Sequence, residues 1–256
     1  MNEPRTTSYG LHSSYKSDGY VALARFLDDE ELGELESRLD RFMLDVVPAM
    51  PDDHVFYEDK QDTTTLKQLQ HMCDYDPWFH KLITVGKFRA LAEELLQSPV
   101  VPKNLQYFNK PPRIGRPTPP HQDGFYFKLN PCLALTMWLA LDVVNEENGC
   151  VRYIPGSHKL GMRAHTRSQM LGFSQTIADF PVDTELEIEV SMSAQPGDLL
   201  AHDALTIHRA GGNESVTRSR RSLGFIYYSE DATEDAASHQ KYQQELANEL
   251  RSKGKI

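Results

Sequence analysis

The chain has 256 residues, a formal net charge of −10 and three cysteines. The acidic balance disfavours non-specific nucleic-acid binding, and no apolar run of about 18 residues predicts a membrane span. Three widely spaced cysteines do not form a disulfide framework or a zinc module. The first five residues lack the apolar segment of a secretory signal. We therefore expect a cytoplasmic protein that acts on a small molecule, with no obligate protein partner.

The first hundred residues predict helices. Acidic residues at 28–31 are followed by an apolar repeat of 3.6 residues between positions 32 and 43, which is typical of an amphipathic helix. The polar stretch 52–65 is predicted to be a loop. Asp76, followed by proline, is a candidate cap for a short helix, and residues 88–96 carry another amphipathic stripe.

From about residue 101 the pattern changes to short apolar runs separated by glycine, proline and asparagine. This pattern favours antiparallel strands in a double-stranded β-helix (jelly roll, cupin-like), so the fold class is mainly β with flanking helices. We expect one domain over 1–256: a helical part at about 1–100, a jelly-roll core at about 101–230 and a C-terminal helix at about 234–253. Residues 158–183 show no clear period and predict an excursion from the barrel. The predicted strands are 104–109, 124–128, 132–143, 150–154, 186–193, 198–202, 205–208 and 222–228.

A histidine and an aspartate two positions apart are the main chemical signal. If His121 and Asp123 share a strand, both side chains lie on the same face. His208 ends a later apolar run, and two histidines with one carboxylate form the facial triad of non-heme Fe(II) oxygenases. The open metal positions would take a chelating cosubstrate and O2. His202 is a competitor for the distal histidine.

Several segments, in this order and spacing, resemble the phytanoyl-CoA dioxygenase family of Fe(II)/2-oxoglutarate-dependent oxygenases. The matching segments are Asn109-Lys110-Pro111-Pro112, His121-Gln122-Asp123-Gly124-Phe125-Tyr126-Phe127, Trp138-Leu139-Ala140-Leu141-Asp142, Glu147-Asn148-Gly149-Cys150, Pro155-Gly156-Ser157-His158, Pro196-Gly197-Asp198, His208 with Asn213, and Arg220-Arg221-Ser222-Leu223.

The resemblance implies that His121, Asp123 and His208 bind Fe(II), because the family places the distal histidine before a small-residue turn and an asparagine. It also implies an arginine that pairs with the far carboxylate of 2-oxoglutarate. Arg220 is our choice and Arg221 the alternative, since one register step turns a side chain to the other face. Three further residues are expected to border 2-oxoglutarate, namely Trp138, Gln106 and Lys67.

The resemblance further implies oxidation of a small molecule by O2, with release of succinate and CO2. Because Asp123 is present, hydroxylation is favoured over halogenation, in which related enzymes lack the carboxylate. Desaturation, epoxidation and cyclisation use the same ligands and stay open. Phe125 and Tyr126 are candidate substrate-pocket residues. Two other classes also stay open: a cupin-like metalloenzyme that does not use 2-oxoglutarate, and a non-catalytic binding module.

Overall fold

The structure is a computed structural model that describes residues 8–170 and 173–252. The N-terminal part is mainly helical, as predicted, and contributes three strands. Its elements are α1 (Ser8–Asp18), β1 (Tyr20–Leu23), α2 (Asp29–Asp45), β2 (Val55–Tyr57), β3 (Leu66–Leu69), α3 (Met72–Tyr75), α4 (Pro77–Thr84) and α5 (Lys87–Leu96).

The rest of the chain forms twelve of the strands found in the described residues, and a long helix follows them. The elements are β4 (Val100–Lys110), β5 (Thr118–His121), α6 (Gly124–Phe127), β6 (Leu129–Asn130), β7 (Ala134–Ala140), β8 (Val151–Tyr153), β9 (His165–Met170), β10 (Phe173–Ile177), α7 (Glu185–Ile188), β11 (Val190–Met192), β12 (Leu199–Asp203), β13 (His208–Ala210), β14 (Arg220–Ser229), β15 (Thr233–Glu234) and α8 (Ala236–Ser252).

Two antiparallel sheets make the predicted jelly roll. The major sheet has the strand order β1-β12-β7-β14-β4-β3-β2, and the minor sheet has the order β11-β8-β13-β5. Trp138 and Leu200 of the major sheet share an apolar cluster with Val151 and Tyr153 of the minor sheet. Side chains alternate between the two faces of each strand. The inner face of the major sheet therefore meets the minor sheet.

The outer face of the major sheet packs on the N-terminal helices. Leu35, Leu39 and Phe42 of α2 belong to the same buried cluster as Leu139 and Phe225 of the major sheet. α2 begins where the acidic run predicts, because the Asp28 carboxylate accepts from the backbone N–H groups of residues 30 and 31. Because this apolar layer covers the outer face of the central strands, their inner face is the side that can carry a polar site without disrupting the core.

Several local predictions are wrong. Residues 124–128 form the one-turn helix α6 rather than a strand, and the 52–65 segment contains β2. The apolar run that precedes His208 is a turn, so His208 begins β13 instead of ending a strand. The predicted strand 186–193 begins as α7. Within 158–183, where an excursion from the barrel was expected, β9 and β10 pair in a two-stranded sheet separate from the major and minor sheets.

The helix predicted at 234–253 is confirmed as α8, although residue 253 lies outside the described residues. The first five residues, on which the absence of a secretory signal was judged, also lie outside them. None of the helices in the described residues is both long and apolar enough to span a bilayer.

The cap of α4 gives a stability prediction. The Asp76 carboxylate accepts from the backbone N–H groups of Trp78 (2.9 Å) and Phe79 (3.2 Å), and it pairs with Arg41. Burial alone would raise the pKa of Asp76, but Arg41 and the two N–H groups hold it below its usual value. Asp76→Ala should lower the free energy of unfolding by about 2 kcal/mol in urea titrations at neutral pH.

This contribution depends on the ionised carboxylate, so it should be present at neutral pH and disappear as the pH falls through the lowered pKa of Asp76. Asp62→Ala is the control, because Asp62 caps only an exposed 3-10 turn. Equal losses in the two variants would contradict the importance of the Asp76 cap.

Candidate metal centre and its two cavities

His121 and His208 are direct cross-strand neighbours in the minor sheet. The register pairs His208 of β13 with His121 of β5, and the ring centroids are 4.1 Å apart. Both side chains are buried. Two histidines separated by 87 positions in the chain are thus brought together by strand pairing alone.

Asp123 completes the group by a different route from the one predicted. It does not lie on β5, since its backbone is right-handed helical (φ −60°, ψ −33°) and immediately precedes α6. The turn nevertheless places its Oδ1 atom 3.3 Å from His121 Nε2 and 3.7 Å from His208 Nε2. The ligand atoms of these three residues all lie within 4.8 Å of one another. The grouping of the three residues is therefore as predicted, while the shared strand is wrong.

Backbone carbonyls fix the tautomer of both histidines. The Nδ1 atom of His121 lies 2.8 Å from the carbonyl oxygen of Pro119, and that of His208 lies 3.0 Å from the carbonyl oxygen of Thr206. A carbonyl oxygen can only accept, so each Nδ1 carries the hydrogen. Nε2, on the side of Asp123, is thereby left as the metal-binding nitrogen of each ring, which is the arrangement of a metal-binding histidine.

The charges of the site also suit a metal. Burial would raise the pKa of Asp123, but His208, His121 and His202 together hold it well below its usual value. Burial, with His121 and His202, holds the pKa of His208 well below its usual value. At neutral pH the site therefore has an ionised carboxylate and a neutral His208 imidazole, as metal binding requires.

A small cavity of about 90 Å³ lies on one side of the three residues. Five basic side chains line it in the described chain: Lys67, Lys110, Arg116, Arg209 and Arg220. Two glutamates offset part of this positive charge, since Glu58 lies near Lys67 and Arg116 and Glu189 pairs with Arg209. The five basic side chains outnumber these glutamates, so the small cavity is suited to an anion.

Arg220 and Arg221 point in opposite directions. Arg220 is buried in the small cavity, where it lies over the Trp138 ring at 5.0 Å and donates to the Gly149 carbonyl oxygen from Nε (3.0 Å) and Nη2 (2.9 Å). Burial lowers the pKa of Arg220 to about 10, which leaves it charged at neutral pH. Arg221 pairs with Asp142 (2.7 Å) and Glu36 (3.3 Å) on the outer face. The structure thus places the chosen arginine at the site and the alternative away from it.

Lys110 is a site residue to which sequence reasoning gave no role. Its Nζ donates to the carbonyl oxygens of Arg116 and Gly211, both at 2.7 Å. Burial, together with Arg220 and Lys67, holds its pKa well below the usual value. The only sequence signal was its position in the Asn-Lys-Pro-Pro segment, which does not show where the side chain points.

A larger cavity of about 490 Å³ adjoins the small one and shares His121 and Asp123 with it. Tyr126 lines it, as predicted. Gln106 also lines it and accepts from Gln68 Nε2 (2.9 Å), so it does not lie where a cosubstrate in the small cavity would be.

Phe125 lines neither cavity in the described chain. It stacks on His165, with ring centroids 4.5 Å apart. Trp138 and Lys67 line the small cavity.

Sequence reasoning missed most of the larger cavity. Its walls include Phe108 and Ile226 of the major sheet, the N-terminal residues Asp53, His54 and Phe56, and Glu234, His239, Tyr242 and Leu246 at the C-terminal end of the chain. These positions are far apart in sequence and carry no shared motif. Only the folded chain brings them to the same place.

Comparison with known proteins gives consistent results. The family model described as phytanoyl-CoA dioxygenase (PhyH) matches residues 15–222. A phytanoyl-CoA dioxygenase of Arabidopsis thaliana is 27% identical over 247 residues, which span 83% of this chain and 86% of the relative.

Two solved structures are similar in fold and sequence. The epimerase SnoN, in complex with Fe3+, alpha ketoglutarate and nogalamycin RO, has a TM-score of 0.71 and 26% identity over 89% of this chain and 85% of its own. EvdO2 from Micromonospora carbonacea var. aurantiaca, complexed with 2-oxoglutarate, has a TM-score of 0.70 and 25% identity over 92% of this chain and 96% of its own. On the extent of the family match, this chain belongs to the phytanoyl-CoA dioxygenase family.

Proposed function

We propose that this protein is a non-heme Fe(II)- and 2-oxoglutarate-dependent dioxygenase that uses O2 to hydroxylate a C–H bond of a small molecule, with release of succinate and CO2. The observation that carries the proposal is the meeting of two cavities at His121 and Asp123, one of them lined by basic residues. The similar structures of SnoN and EvdO2, which contain alpha ketoglutarate and 2-oxoglutarate, support it.

The residues present fit an iron site. His121, Asp123 and His208 would hold the metal through two imidazole Nε2 atoms and one carboxylate oxygen, a donor set typical of Fe(II) oxygenases. When bound, the iron supplies the oxygen activation. The chain holds the Nδ1–H groups of both histidines on backbone carbonyls, so the ring orientation is set before metal arrives.

2-Oxoglutarate would bind in the small cavity. Its keto-acid end would face the metal residues, and its far carboxylate would pair with Arg220, whose planar guanidinium suits bidentate binding. Trp138 lies against that guanidinium and limits its movement. Arg220 donates to a neutral backbone carbonyl, so this hydrogen bonding leaves its charge to be balanced by an anion.

The substrate would bind in the larger cavity, whose volume is in the range of small-molecule sites. An apolar wall near the metal residues is formed by Tyr126, Phe127 and Tyr228. These side chains would exclude water from the reacting C–H bond. Lys103 also lines this cavity but pairs with Glu234 at 2.8 Å. The larger cavity thus has little of the basic character of the small one.

Asp123→Ala should abolish Fe(II) binding and succinate formation, because it leaves two imidazoles and no carboxylate. Anaerobic equilibrium dialysis with Fe(II) and succinate assay are the measurements. Asp179→Ala is the control, since Asp179 is an exposed carboxylate paired with Arg163. Undiminished iron binding by Asp123→Ala would overturn the assignment of the metal ligands.

The two adjacent arginines allow a matched test of the cosubstrate site. Arg220→Ala should raise KM for 2-oxoglutarate by roughly 10- to 100-fold, because it removes charge-assisted hydrogen bonds from a buried carboxylate. Arg221→Ala should leave this KM unchanged and lower thermal stability, because Arg221 binds Asp142 and Glu36 on the outer face. The reverse pattern would transfer the cosubstrate role to Arg221.

The reaction type is tested by its products. Adding 2-oxoglutarate anaerobically to the Fe(II)-loaded protein should produce a visible charge-transfer band, which indicates chelation of the keto acid. With a turned-over substrate, hydroxylation adds one oxygen atom to the product mass, whereas desaturation or cyclisation removes two hydrogens and epimerisation leaves the mass unchanged. Metal-dependent turnover that does not require 2-oxoglutarate would refute the proposal.

A further inference from the structure

His202 is a buried histidine beside the metal residues that the proposed chemistry does not use. It lies on β12, and its ring centroid is 4.3 Å from that of His208. Its Nε2 atom lies 3.2 Å from Asp123 Oδ2, and its Nδ1 atom lies 2.8 Å from the Tyr153 hydroxyl. Thr136 donates to the same Asp123 oxygen from Oγ1 at 2.6 Å.

The hydrogen bonds to Asp123 have a fixed direction. A carboxylate can only accept, so His202 donates to Asp123 Oδ2 from Nε2–H. On the opposite side of the ring, Nδ1 is hydrogen-bonded to the Tyr153 hydroxyl. Two donors thus converge on Oδ2, while Oδ1 faces the Nε2 atoms of His121 and His208.

The strand register builds this arrangement. His202 of β12 pairs directly with Thr136 of β7, and Tyr153 of β8 pairs directly with His208 of β13. The Tyr153 ring is held in turn by stacking on Tyr20, with centroids 4.5 Å apart. The two donors to Asp123 are therefore mounted on paired strands of the major sheet, and Tyr153, which contacts His202, is mounted on the minor sheet.

Asp123 needs such support more than the two histidines do. It lies on the turn before α6, outside the strands, and the terminal torsion of an aspartate side chain is soft. His121 and His208 each have a backbone carbonyl that fixes the ring. For Asp123, the equivalent support comes from His202 and Thr136.

We propose that His202, oriented by Tyr153, is a positioning residue that acts with Thr136 to hold Asp123 so that only Oδ1 is offered to the metal. The inference rests on the proposed iron site. His202 is assigned no contact with iron. Its role would be to hold Oδ2 in hydrogen bonds, so that one carboxylate oxygen, Oδ1, is left to bind the metal.

The test uses three variants of the full chain and one matched control. His202→Leu removes the donor to Asp123, His202→Gln keeps an N–H donor of similar reach, and Tyr153→Phe removes only the hydroxyl. Tyr227→Phe is the control, because its buried hydroxyl donates to the carbonyl oxygen of Ile83, away from Asp123. Fe(II) affinity is measured anaerobically without 2-oxoglutarate, and the visible spectrum of the Co(II)-loaded protein reports ligand geometry.

We expect His202→Leu to weaken Fe(II) binding by roughly 10- to 100-fold, as for other residues that orient metal ligands. His202→Gln should recover most of this loss. Tyr153→Phe should give a smaller loss than His202→Leu and an altered Co(II) spectrum, while Tyr227→Phe should change neither measurement. Melting temperatures without metal identify a variant that fails to fold, and His202→Gln and Tyr153→Phe then carry the test.

Two results would overturn the positioning role. Equal iron affinity in all variants would show that Asp123 needs no such support. An equally severe loss in His202→Gln and His202→Leu, in folded protein, would show that the imidazole itself is required, as for a direct ligand. Failure of the unaltered protein to bind Fe(II) would instead refute the proposed function, so the two failures are distinguishable.

Discussion

The alternation of side chains on the central strands is the constraint on which the rest of the structure depends. On β7, Leu135, Met137 and Leu139 enter the apolar cluster beneath the helices, while Thr136 and Trp138 line the cavities. The same alternation separates buried Phe225 from Gly224 on β14, and Ala201 from His202 on β12. The register is set by burial of the outward-facing side chains against the helices. A slip of one residue would move these apolar side chains into the cavities and the side chains of the site into the apolar core. Stability and chemistry are therefore fixed by the same strand pairing.

Charge adds a second constraint. Removing a basic side chain from water is costly unless a partner replaces the water. The small cavity nevertheless holds Lys110 and Arg220, both buried, with hydrogen bonds to neutral carbonyls. The cost of this burial is recovered when an anion enters, and a dicarboxylate is well matched to a cavity with metal ligands at one end and a guanidinium at the other. The small cavity is thus best understood as a binding site whose positive charge is balanced only when an anion occupies it.

The sequence predicted the jelly roll and the members of the triad, because strand punctuation and the order of the motifs are local features of the chain. It also predicted that His121 and Asp123 lie close together, but it attributed this to a shared strand. In the structure, the turn before α6 brings Asp123 close to His121. The choice between Arg220 and Arg221 depended on register, which pairing with β4 and β7 sets and no local pattern reveals. Gln106 lines the larger cavity, and Phe125, on α6, lines neither cavity in the described chain. Local spacing shows which residues could act together, but side-chain direction is a property of the assembled sheet.

The residues proposed to bind the metal and cosubstrate come largely from different parts of the chain than those proposed to contact the substrate. Each of the three triad residues lies in or directly after the short strands of the minor sheet, and Arg220 lies on the central strand β14. The outer wall of the larger cavity comes instead from Asp53, His54 and Phe56, from His71 before α3 and from α8. Phe56 lies on β2, the edge strand of the major sheet, and the other residues lie outside both sheets, so these positions can change without altering the register that holds the metal residues. If the larger cavity holds the substrate, as proposed, substrate choice depends on these variable positions as well as on the strands, whereas the motifs that identify the family lie around the metal residues and the small cavity.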